Sequence, residues 1–397
     1  MKNKYDLIIA GSGISGMSLA HFCAQDGLKV LVIEKGEILG GSFTTEYSED
    51  FWLEMGAHTM YNSYGNLIGI IEGCGLINDI IKRKKVPYKA FKNKRIQSII
   101  SQFSILALLF SLPSMFKIKK ENQTVESYYS RILGKRNYRK FFQYMFNAVP
   151  SQPTNDFPAD VLFKKRTRRK DILKSFTLKK GVRSIIETIS KDQNIDTIVD
   201  VSIKSVVRLG DSFLVNTENN QSFESEFIGL ATPVNITGTL VEKLNPEISR
   251  QLDKIEYTHT DSTGIIIRKQ DIDLKEVAGI IGIDTDFYSI VSRDVVEHPD
   301  QRGFVFHFKP GKLDNKRKID FICKALNISE NHILHTFSAN NIVPSFRLGH
   351  DSIVLKIDQL LTDEKIFVTG NYFTGMAIED CVIRSKQEHN RLQMIRK

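Results

Sequence analysis

Three glycines near the start of the chain have the spacing of a phosphate-binding turn. Gly11, Gly13 and Gly16 form the pattern G-x-G-x-x-G directly after Tyr5 to Ala10, an apolar run of strand length. The first glycine permits a tight turn, the second lets the backbone approach a pyrophosphate, and the third lets a helix pack closely on the strand. A helix that begins there also points free N–H groups and a partial positive charge at the phosphates. The pattern therefore predicts a dinucleotide-binding turn.

The elements around this turn complete a strand–helix–strand unit. Ile14 to Gln25 is predicted to be a helix, and Lys29 to Ile33 is a second apolar, β-branched run that leads into Glu34. A carboxylate there can accept hydrogen bonds from a ribose 2′-OH, which a 2′-phosphate would oppose. A glycine-rich turn without ligand is the alternative, but the strand, helix and acid all favour the dinucleotide site. Beside the glycines and Glu34, we expect cofactor contacts from Ile14, Ser15 and Lys35.

Composition and charge limit the class of protein. The chain has 397 residues, enough for two domains, with 41% hydrophobic and 25% charged residues, as in globular proteins. Its net charge of +9 suggests an anionic partner without specifying the kind. The four cysteines lie far apart in sequence, which favours neither a zinc site nor a disulfide framework, and we predict no metal. Because only Met1 to Lys4 precede the first apolar run, we predict no signal peptide and a cytoplasmic location.

A change in composition at Lys82 marks a second part of the chain. Lys82 to Lys85 and Lys89 to Arg95 are strongly basic, and the apolar stretch Ile99 to Phe116 follows them. Polar residues and a proline interrupt this stretch, which argues against a membrane span. An apolar helix between basic flanks could lie in a membrane interface, on the inner face of the membrane. A buried helix of a substrate domain is the alternative.

The remaining pattern predicts an α/β protein with a discontinuous cofactor domain. Ile198 to Val206 and Phe213 to Thr217 alternate like an antiparallel hairpin, Ile366 to Thr369 is a final core strand, and Ala377 to Met394 is a helix. An amino-terminal fingerprint completed by a carboxyl-terminal strand–turn–helix favours FAD over a nicotinamide cofactor. We predict a Rossmann-type FAD-binding domain built from residues 1–81, 180–235 and 355–397. We predict a second, α+β substrate domain built from residues 82–179 and 236–354.

Several segments, spread along most of the chain, resemble the protoporphyrinogen oxidase-like enzymes of the flavin amine oxidase superfamily. GSGISG with Glu34 is similar to the family's FAD fingerprint, and Gly40-Gly41 with the threonines after them resembles its GGR motif. Val343 to His350, VPSFRLGH, is similar to a P-x-Y/F-x-x-G-H segment. The sharpest match is Gly370 to Val382, GNYFTGMAIEDCV, which resembles a carboxyl-terminal GNYxxGxxxxxCV motif.

The resemblance implies FAD as the cofactor and assigns further residues to it. The carboxyl-terminal helix would point its N-terminus at the pyrimidine edge of the flavin, and Ile203 would contact the adenine end through its backbone. The residues that we assign in this way are Gly40, Gly41, Ser42, Gly56, Ala57, His58, Ile203, Ala231, Gly370, Asn371, Gly375, Met376 and Ala377. Two positions depart from the pattern: Ser42 replaces the arginine of GGR, and Ala57 stands where many porphyrinogen oxidases have proline.

Three functions are compatible with these features. The leading hypothesis is an FAD-dependent oxidoreductase that takes hydride equivalents from an anionic substrate, with a porphyrinogen as first guess because its carboxylates suit the positive charge. The alternative is a flavin-dependent sugar-nucleotide enzyme, since GAHTMY, residues 56–61, also resembles the GAHxF segment of UDP-galactopyranose mutases. A binding protein similar to the GDP-dissociation inhibitors is disfavoured by the intact glycines and Glu34. We expect a small anionic substrate and an anionic membrane surface as partners, and no nucleic acid.

Two polar side chains are candidates for chemistry at the substrate. His58 belongs to a segment that, by the resemblance, lies beside the isoalloxazine ring; a structural histidine bonded to backbone is the alternative. Arg347 comes shortly before the last cofactor-domain strand, so it should border the cleft between the domains. A guanidinium there can clamp a carboxylate with two hydrogen bonds. We expect Arg347 to hold the substrate's anion; if it is a surface residue instead, the anion must be held elsewhere, as by the basic residues of Lys82 to Arg95.

Overall fold

The computed structural model describes residues 4–111 and 118–396, and strands and helices alternate along much of their length. The strands are β1 (Lys4–Ala10), β2 (Val30–Ile33), β3 (Thr45–Ser48), β4 (Phe51–Glu54), β5 (Met60–Tyr61), β6 (Ile80–Lys82), β7 (Tyr88–Lys92), β8 (Arg95–Ser98), β9 (Ser175–Leu178), β10 (Ile195–Ile198), β11 (Ile203–Leu209), β12 (Ser212–Thr217), β13 (Ser222–Leu230), β14 (Tyr257–Arg268), β15 (Gly279–Gly282), β16 (Phe287–Ser292), β17 (Gln301–Phe308), β18 (Ile333–Pro344) and β19 (Ile366–Val368). The helices are α1 (Ile14–Gln25), α2 (Gly65–Gly73), α3 (Ile105–Ser111), α4 (Val125–Leu133), α5 (Lys135–Asn137), α6 (Gln143–Ala148), α7 (Arg183–Ile189), α8 (Val234–Val241), α9 (Pro246–Leu252), α10 (Asn315–Leu326), α11 (His350–Leu361) and α12 (Ile378–Ile395).

One mixed sheet gathers strands from three separated parts of the chain. Its order is β10-β2-β1-β13-β12-β11, and β19 pairs with the carboxyl-terminal half of β13. Strands β10, β2, β1, β13 and β19 are parallel, and β11 to β13 form an antiparallel meander. β1 and β2 are almost continuous apolar runs, as strands covered on both faces require. The prediction of an α/β fold with a discontinuous Rossmann-type domain is confirmed.

Helices cover both faces of this cofactor sheet. Side chains of a strand alternate between the two faces, so β1 contributes to two separate cores. Leu7 and Ile9 pack with α1, α2, α7 and α12 on one face. Ile8 and Leu31 pack with α8, α9 and α11 on the other. The sheet is therefore a rigid platform whose strand ends carry the loops described below.

The second sheet has the order β18-β14-β17-β16-β15-β7-β8 and is antiparallel except for the β7–β15 pair. α10 covers one of its faces through an aromatic core. Leu53 and Met55, at the end of β4, press on the other face. A side-chain carbon on Gly264 would lie 2.6 Å from the Met55 sulfur, and one on Gly303 would lie 2.7 Å from Leu53 Cδ1. These two glycines let the β3–β4 hairpin sit directly on the second sheet.

Two predicted elements differ from the structure. The expected strand Ile198 to Val206 is divided, because Asp200 has a φ of +56° and turns the chain between β10 and β11. The expected helix over Ile99 to Phe116 begins only at Ile105, since a 3-10 turn over Ile100–Gln102 and an extended Phe103 precede it. Residues 112–117 of that stretch lie outside the described residues.

The exposure of α3 tests the interpretation of the apolar stretch as a buried helix. None of its described side chains is buried. Leu106 is 69% and Phe110 is 85% exposed. The interpretation of this helix as a buried core element is therefore wrong for Ile105–Ser111.

Candidate functional site: a dinucleotide turn beside an arginine-lined cavity

The glycine turn has the geometry that its spacing predicts. Gly11 has a φ of +96°, a conformation that favours glycine, and a Cβ there would lie 2.8 Å from the carbonyl oxygen of Ala231. A Cβ on Gly16 would lie 2.0 Å from the carbonyl oxygen of Gly11, so only glycine allows this approach of helix and strand. A Cβ on Gly13, the N-cap of α1, would meet no described atom within 4 Å. That open space, in front of a helix N-terminus, fits a pyrophosphate.

The carboxylate of Glu34 is held next to this turn. It accepts hydrogen bonds from the backbone nitrogen of Ser12 at 2.9 Å, the Ser12 hydroxyl at 2.7 Å and the Gly36 nitrogen at 2.9 Å. The backbone of Glu34 pairs with Ile198 and Val201, which brings the beginning of β11, at Ile203, to the same edge. Lys35 is exposed beside it. The arrangement suits a ribose whose hydroxyls donate to the carboxylate.

Two later loops converge on the same place. The Gly40 nitrogen donates to the Ser12 hydroxyl at 3.0 Å, and a Cβ on Gly41 would lie 3.2 Å from the Cα of Gly13. A Cβ on Gly56 would lie 2.4 Å from the carbonyl oxygen of Ser42, which also accepts a 3.3 Å hydrogen bond from Ala57. The structure thus brings together the fingerprint, the Gly-Gly loop and the GAH segment.

The carboxyl-terminal motif reaches this site through α12. The Ser385 hydroxyl donates to the carbonyl oxygen of Ser15 at 2.7 Å, which joins α12 to the first turn of α1. Gly370 and Asn371 follow β19, and Gly375 and Met376 lead to Ala377, the N-cap of α12. The prediction that this motif completes the cofactor domain agrees with these contacts.

Two basic side chains pair with a carboxylate at the beginning of α12. Asp380, in the first turn of α12, accepts from Arg166 at 2.7 Å and lies 3.3 Å from the Lys164 nitrogen. Both belong to the basic run Lys164 to Lys170, a pattern that more often forms a solvated surface than a site. Their partner lies 214 and 216 residues away, so no local signal was available.

His58 lines a small cavity between the β3–β4 hairpin and the second sheet. Trp52, Glu54, Arg83 and Arg293 line it as well. The Nδ1 atom of His58 lies 3.0 Å from the Gly56 carbonyl oxygen. Burial lowers the pKa of His58 to about 4, and the positive charge of Arg83 acts in the same direction. His58 is therefore neutral near pH 7 and can donate one hydrogen bond and accept another.

A second neutral histidine lies near His58. Burial lowers the pKa of His307, on β17, to about 4, with a smaller contribution from His58. The Nδ1 atom of His307 lies 2.8 Å from the Ser262 hydroxyl. The region therefore offers neutral hydrogen-bonding groups.

Glu54 is the buried acid of this region. Its carboxylate accepts hydrogen bonds from the Thr45 hydroxyl and from the Val182 nitrogen, each at 2.7 Å. Burial raises the pKa of Glu54 to about 7, whereas these hydrogen bonds and then the charges of Arg293 and Arg183 act in the opposite direction. The side chain thus titrates close to neutral pH.

Arg347 does not face this cavity. Its guanidinium pairs with Glu256 at 2.8 Å, and the two side chains are 42% and 58% exposed. Arg347 also donates to the carbonyl oxygen of Phe346. This pairing on the surface weakens the case for Arg347 as the substrate clamp. The neighbouring His350 is buried and lies 2.8 Å from the Tyr372 carbonyl oxygen, a structural role.

Comparison with known proteins supports the assignment of the cofactor part. Residues 9–72 match the NAD(P)-binding Rossmann-like domain family. The chain is 35% identical to 15-cis-phytoene desaturase of Arabidopsis thaliana over 80 residues, 20% of this chain and 14% of that protein. It is 36% identical to UDP-galactopyranose mutase of Mycoplasma pneumoniae over 73 residues, 18% of each chain. The matched segments thus span less than a fifth of the length of these relatives.

Solved structures extend the similarity to the whole chain. A protein provisionally assigned as protoporphyrinogen oxidase, from Exiguobacterium sp. 255-15, superimposes with a TM-score of 0.79 at 14% identity and covers 99% of both chains. Putrescine oxidase bound to putrescine superimposes with a TM-score of 0.73 at 12% identity, also over 99% of both chains. The fold is that of flavin-dependent oxidoreductases. Within them, this chain has the fold of the two oxidases named above, and the comparisons agree with the prediction of FAD as cofactor.

The open space beside Gly13 leads to a test of cofactor placement. We expect Gly13→Val to fold but to purify with almost no FAD, because the side chain would occupy the space left for the pyrophosphate. Gly69→Val is the matched control: Gly69 lies in α2, and its Cβ would likewise meet no described atom within 4 Å. The measurement is flavin absorbance per chain, with circular dichroism to verify folding. Full flavin content in the Gly13 variant would show that the pyrophosphate lies elsewhere.

The pKa of Glu54 leads to a test of stability against pH. A folded-state pKa near 7, above the ordinary value of 4.5, gives stability that is fully present below pH 4.5 and lost as the pH rises through about 7. We expect wild type to lose about 3 kcal/mol over this range relative to Glu54→Gln. Urea unfolding followed by fluorescence of Trp52, the single tryptophan of the chain, measures it. Glu242→Gln, a control at an exposed position, should show the same dependence of unfolding free energy on pH as wild type. The same dependence in Glu54→Gln would contradict the prediction.

Proposed function

We propose that this protein is an FAD-dependent oxidoreductase that takes hydride equivalents from an anionic small molecule. The observation that carries the proposal is the convergence of the fingerprint, the Gly-Gly loop and the GAH segment at one edge of the sheet, in a chain whose whole length has this fold. Bound FAD would supply the hydride acceptor. The chain's own residues would hold and orient it: Gly13 and the N-terminus of α1 would take the pyrophosphate, and Glu34 would accept hydrogen bonds from the ribose.

The charge of the cavity supports an anionic substrate. Arg83 and Arg293 both line it, and His58 is neutral. The putrescine oxidase neighbour is bound to putrescine, a diamine that would carry positive charge at neutral pH. Two guanidinium groups would repel such a cation and attract a carboxylate or a phosphate. A porphyrinogen, which carries carboxylates, is therefore our first candidate.

A flavin-dependent sugar-nucleotide enzyme is the second candidate. The match to UDP-galactopyranose mutase at 36% identity favours it, together with the resemblance of GAHTMY to the segment of those enzymes. Its substrate would bring a diphosphate, which the same two arginines could attract. The two candidates differ in the reaction, because a mutase returns its flavin to the starting state whereas an oxidoreductase leaves it reduced.

Anaerobic reduction of the bound flavin separates the candidates. We expect a porphyrinogen to bleach the flavin absorbance without added reductant. A UDP-sugar should leave it oxidised. Conversion of UDP-galactopyranose only after the flavin has been reduced chemically would favour the mutase. Protein that purifies without flavin, and takes up none when FAD is added, would overturn both candidates.

We further propose that α3 brings the protein to an anionic membrane surface. Ile105, Leu106, Leu109 and Phe110 are each more than half exposed. α3 packs against the segment that carries α5, since the Ser104 nitrogen donates to the Asn137 side chain at 2.8 Å. The basic residues of α5 and the π turn after it are exposed beside α3: Lys135, Arg136, Arg139 and Lys140. No described helix is long and apolar enough to span a bilayer, so the contact would be interfacial.

Liposome flotation tests the membrane proposal. We expect wild type to float with vesicles containing phosphatidylglycerol at low salt, and less with phosphatidylcholine alone, since each basic residue near an anionic surface adds about 1 kcal/mol. Leu106→Ser with Phe110→Ser should abolish flotation. Leu355→Ser with Met394→Ser, two other exposed apolar residues, should not. If wild type does not float with anionic vesicles at low salt, the membrane proposal for α3 is wrong.

A further inference from the structure

Arg83 occupies the point where the chain passes from a small three-stranded sheet, β5-β9-β6, to the second sheet. β6 ends at Lys82 and pairs with β9, whereas β7 begins at Tyr88 and belongs to the second sheet. Between them, the Lys84 nitrogen donates to the Val295 carbonyl oxygen at 2.7 Å. This contact fixes the backbone beside Arg83 against the second sheet, so its side chain reaches the His58 cavity from a defined position.

Arg83 differs from the other arginines of the described chain. Each other arginine there that is buried or half-buried donates a hydrogen bond, as Arg302 does to Asp294 and Arg293 does to the Trp52 carbonyl oxygen at 3.1 Å. Arg83 is half-buried, yet within residues 4–111 and 118–396 it has neither an ion pair nor a hydrogen bond from its guanidinium. A half-buried guanidinium without a protein acceptor is hydrated by the water that still reaches it, and an anion can replace that water. Arg83 is therefore available to a ligand.

The surroundings of Arg83 favour an anion as that ligand. Arg293 lines the same cavity and adds positive charge, with its guanidinium carbon 3.8 Å from the centre of the Trp52 ring. Glu54 also lines it, but burial raises the pKa of its carboxyl to about 7, so this acid carries only part of its negative charge near neutral pH. The cavity holds about 20 Å³, room for about one water molecule, so only the end of a ligand can enter in this conformation.

We infer that Arg83, beside His58, binds the carboxylate or phosphate group of the substrate. This inference rests on the proposed function and assigns the anion contact that Arg347, paired with Glu256, leaves open. The planar guanidinium can make two parallel hydrogen bonds to two oxygens of such a group, which lysine cannot copy. His58 offers that group no N–H while it is neutral, because its Nδ1 faces the Gly56 carbonyl oxygen and its other ring nitrogen is then an acceptor. The anion would anchor one end of the substrate at the junction of the two sheets.

Simple aromatic probes test this inference on the flavin-loaded protein. Benzoate and phenyl phosphate carry the two anionic groups, and benzamide has the shape of benzoate without its charge. Binding is followed by the change in flavin absorbance and by calorimetry. We expect wild type to bind at least one of the two anions more tightly than benzamide. The anion that binds more tightly indicates whether the substrate carries a carboxylate or a phosphate. Arg83→Gln should lower the affinity for that anion about tenfold or more and leave the affinity for benzamide unchanged. The anion affinity of Arg83→Lys should lie between those of wild type and Arg83→Gln.

Matched controls separate this inference from the proposed function. Arg317→Gln removes the same charge from an exposed site on α10, where Arg317 is 70% exposed, and should bind the probes like wild type. Flavin content of each variant is measured first. Loss of flavin from wild type would overturn the proposed function. Full flavin with equal anion binding in wild type and Arg83→Gln, or no anion binding by wild type, would overturn the role of Arg83 alone.

Discussion

Three parallel strands of the cofactor sheet end in register, and the positions of the site loops depend on this alignment. Ala10 lies opposite Ile33 in β2 and Leu230 in β13, so the loops that follow all three strands leave the sheet at one edge. The turn after Ala10 has no room for side chains at Gly11 and Gly16, where a Cβ would lie 2.8 Å and 2.0 Å from carbonyl oxygens. The space beside Gly13, by contrast, is open, as the predicted pyrophosphate contact requires.

The junction between the two sheets is built by a second close approach. β4 rests on the second sheet because Gly264 and Gly303 present backbone where other residues would present side chains. The same hairpin carries Glu54, and the GAH segment follows directly. His58 therefore reaches a cavity whose other wall comes from the second sheet. The hairpin thus connects the glycine turn of the cofactor sheet to a cavity on the second sheet.

Electrostatic pairing determines which basic residues remain free. The net charge of +9 does not create a uniform positive surface, since Arg166, Arg347 and Arg384 are each held by a carboxylate. Arg83 stands apart because it is half-buried at the junction without such a partner in the described chain. The burial that costs a guanidinium its water also strengthens its attraction for an incoming anion. Substrate charge is therefore better judged from this one cavity than from the composition of the whole chain.

The dinucleotide turn could be predicted from the sequence because glycine spacing, an acid at a strand end and apolar runs of strand length are short-range patterns. FAD and a cofactor domain of separated segments were predicted by joining the amino-terminal fingerprint to the carboxyl-terminal motif and from the family resemblance, whereas the strand order of the sheet emerged only in the structure. Tertiary structure alone decided that Arg347 pairs with Glu256, that Arg166 pairs with Asp380, and that Arg83 faces the His58 cavity. It also decided that α3 is exposed, which its apolar residues did not indicate. The partners in these two ion pairs are 91 and 214 residues apart, so no local sequence pattern encodes the pairing.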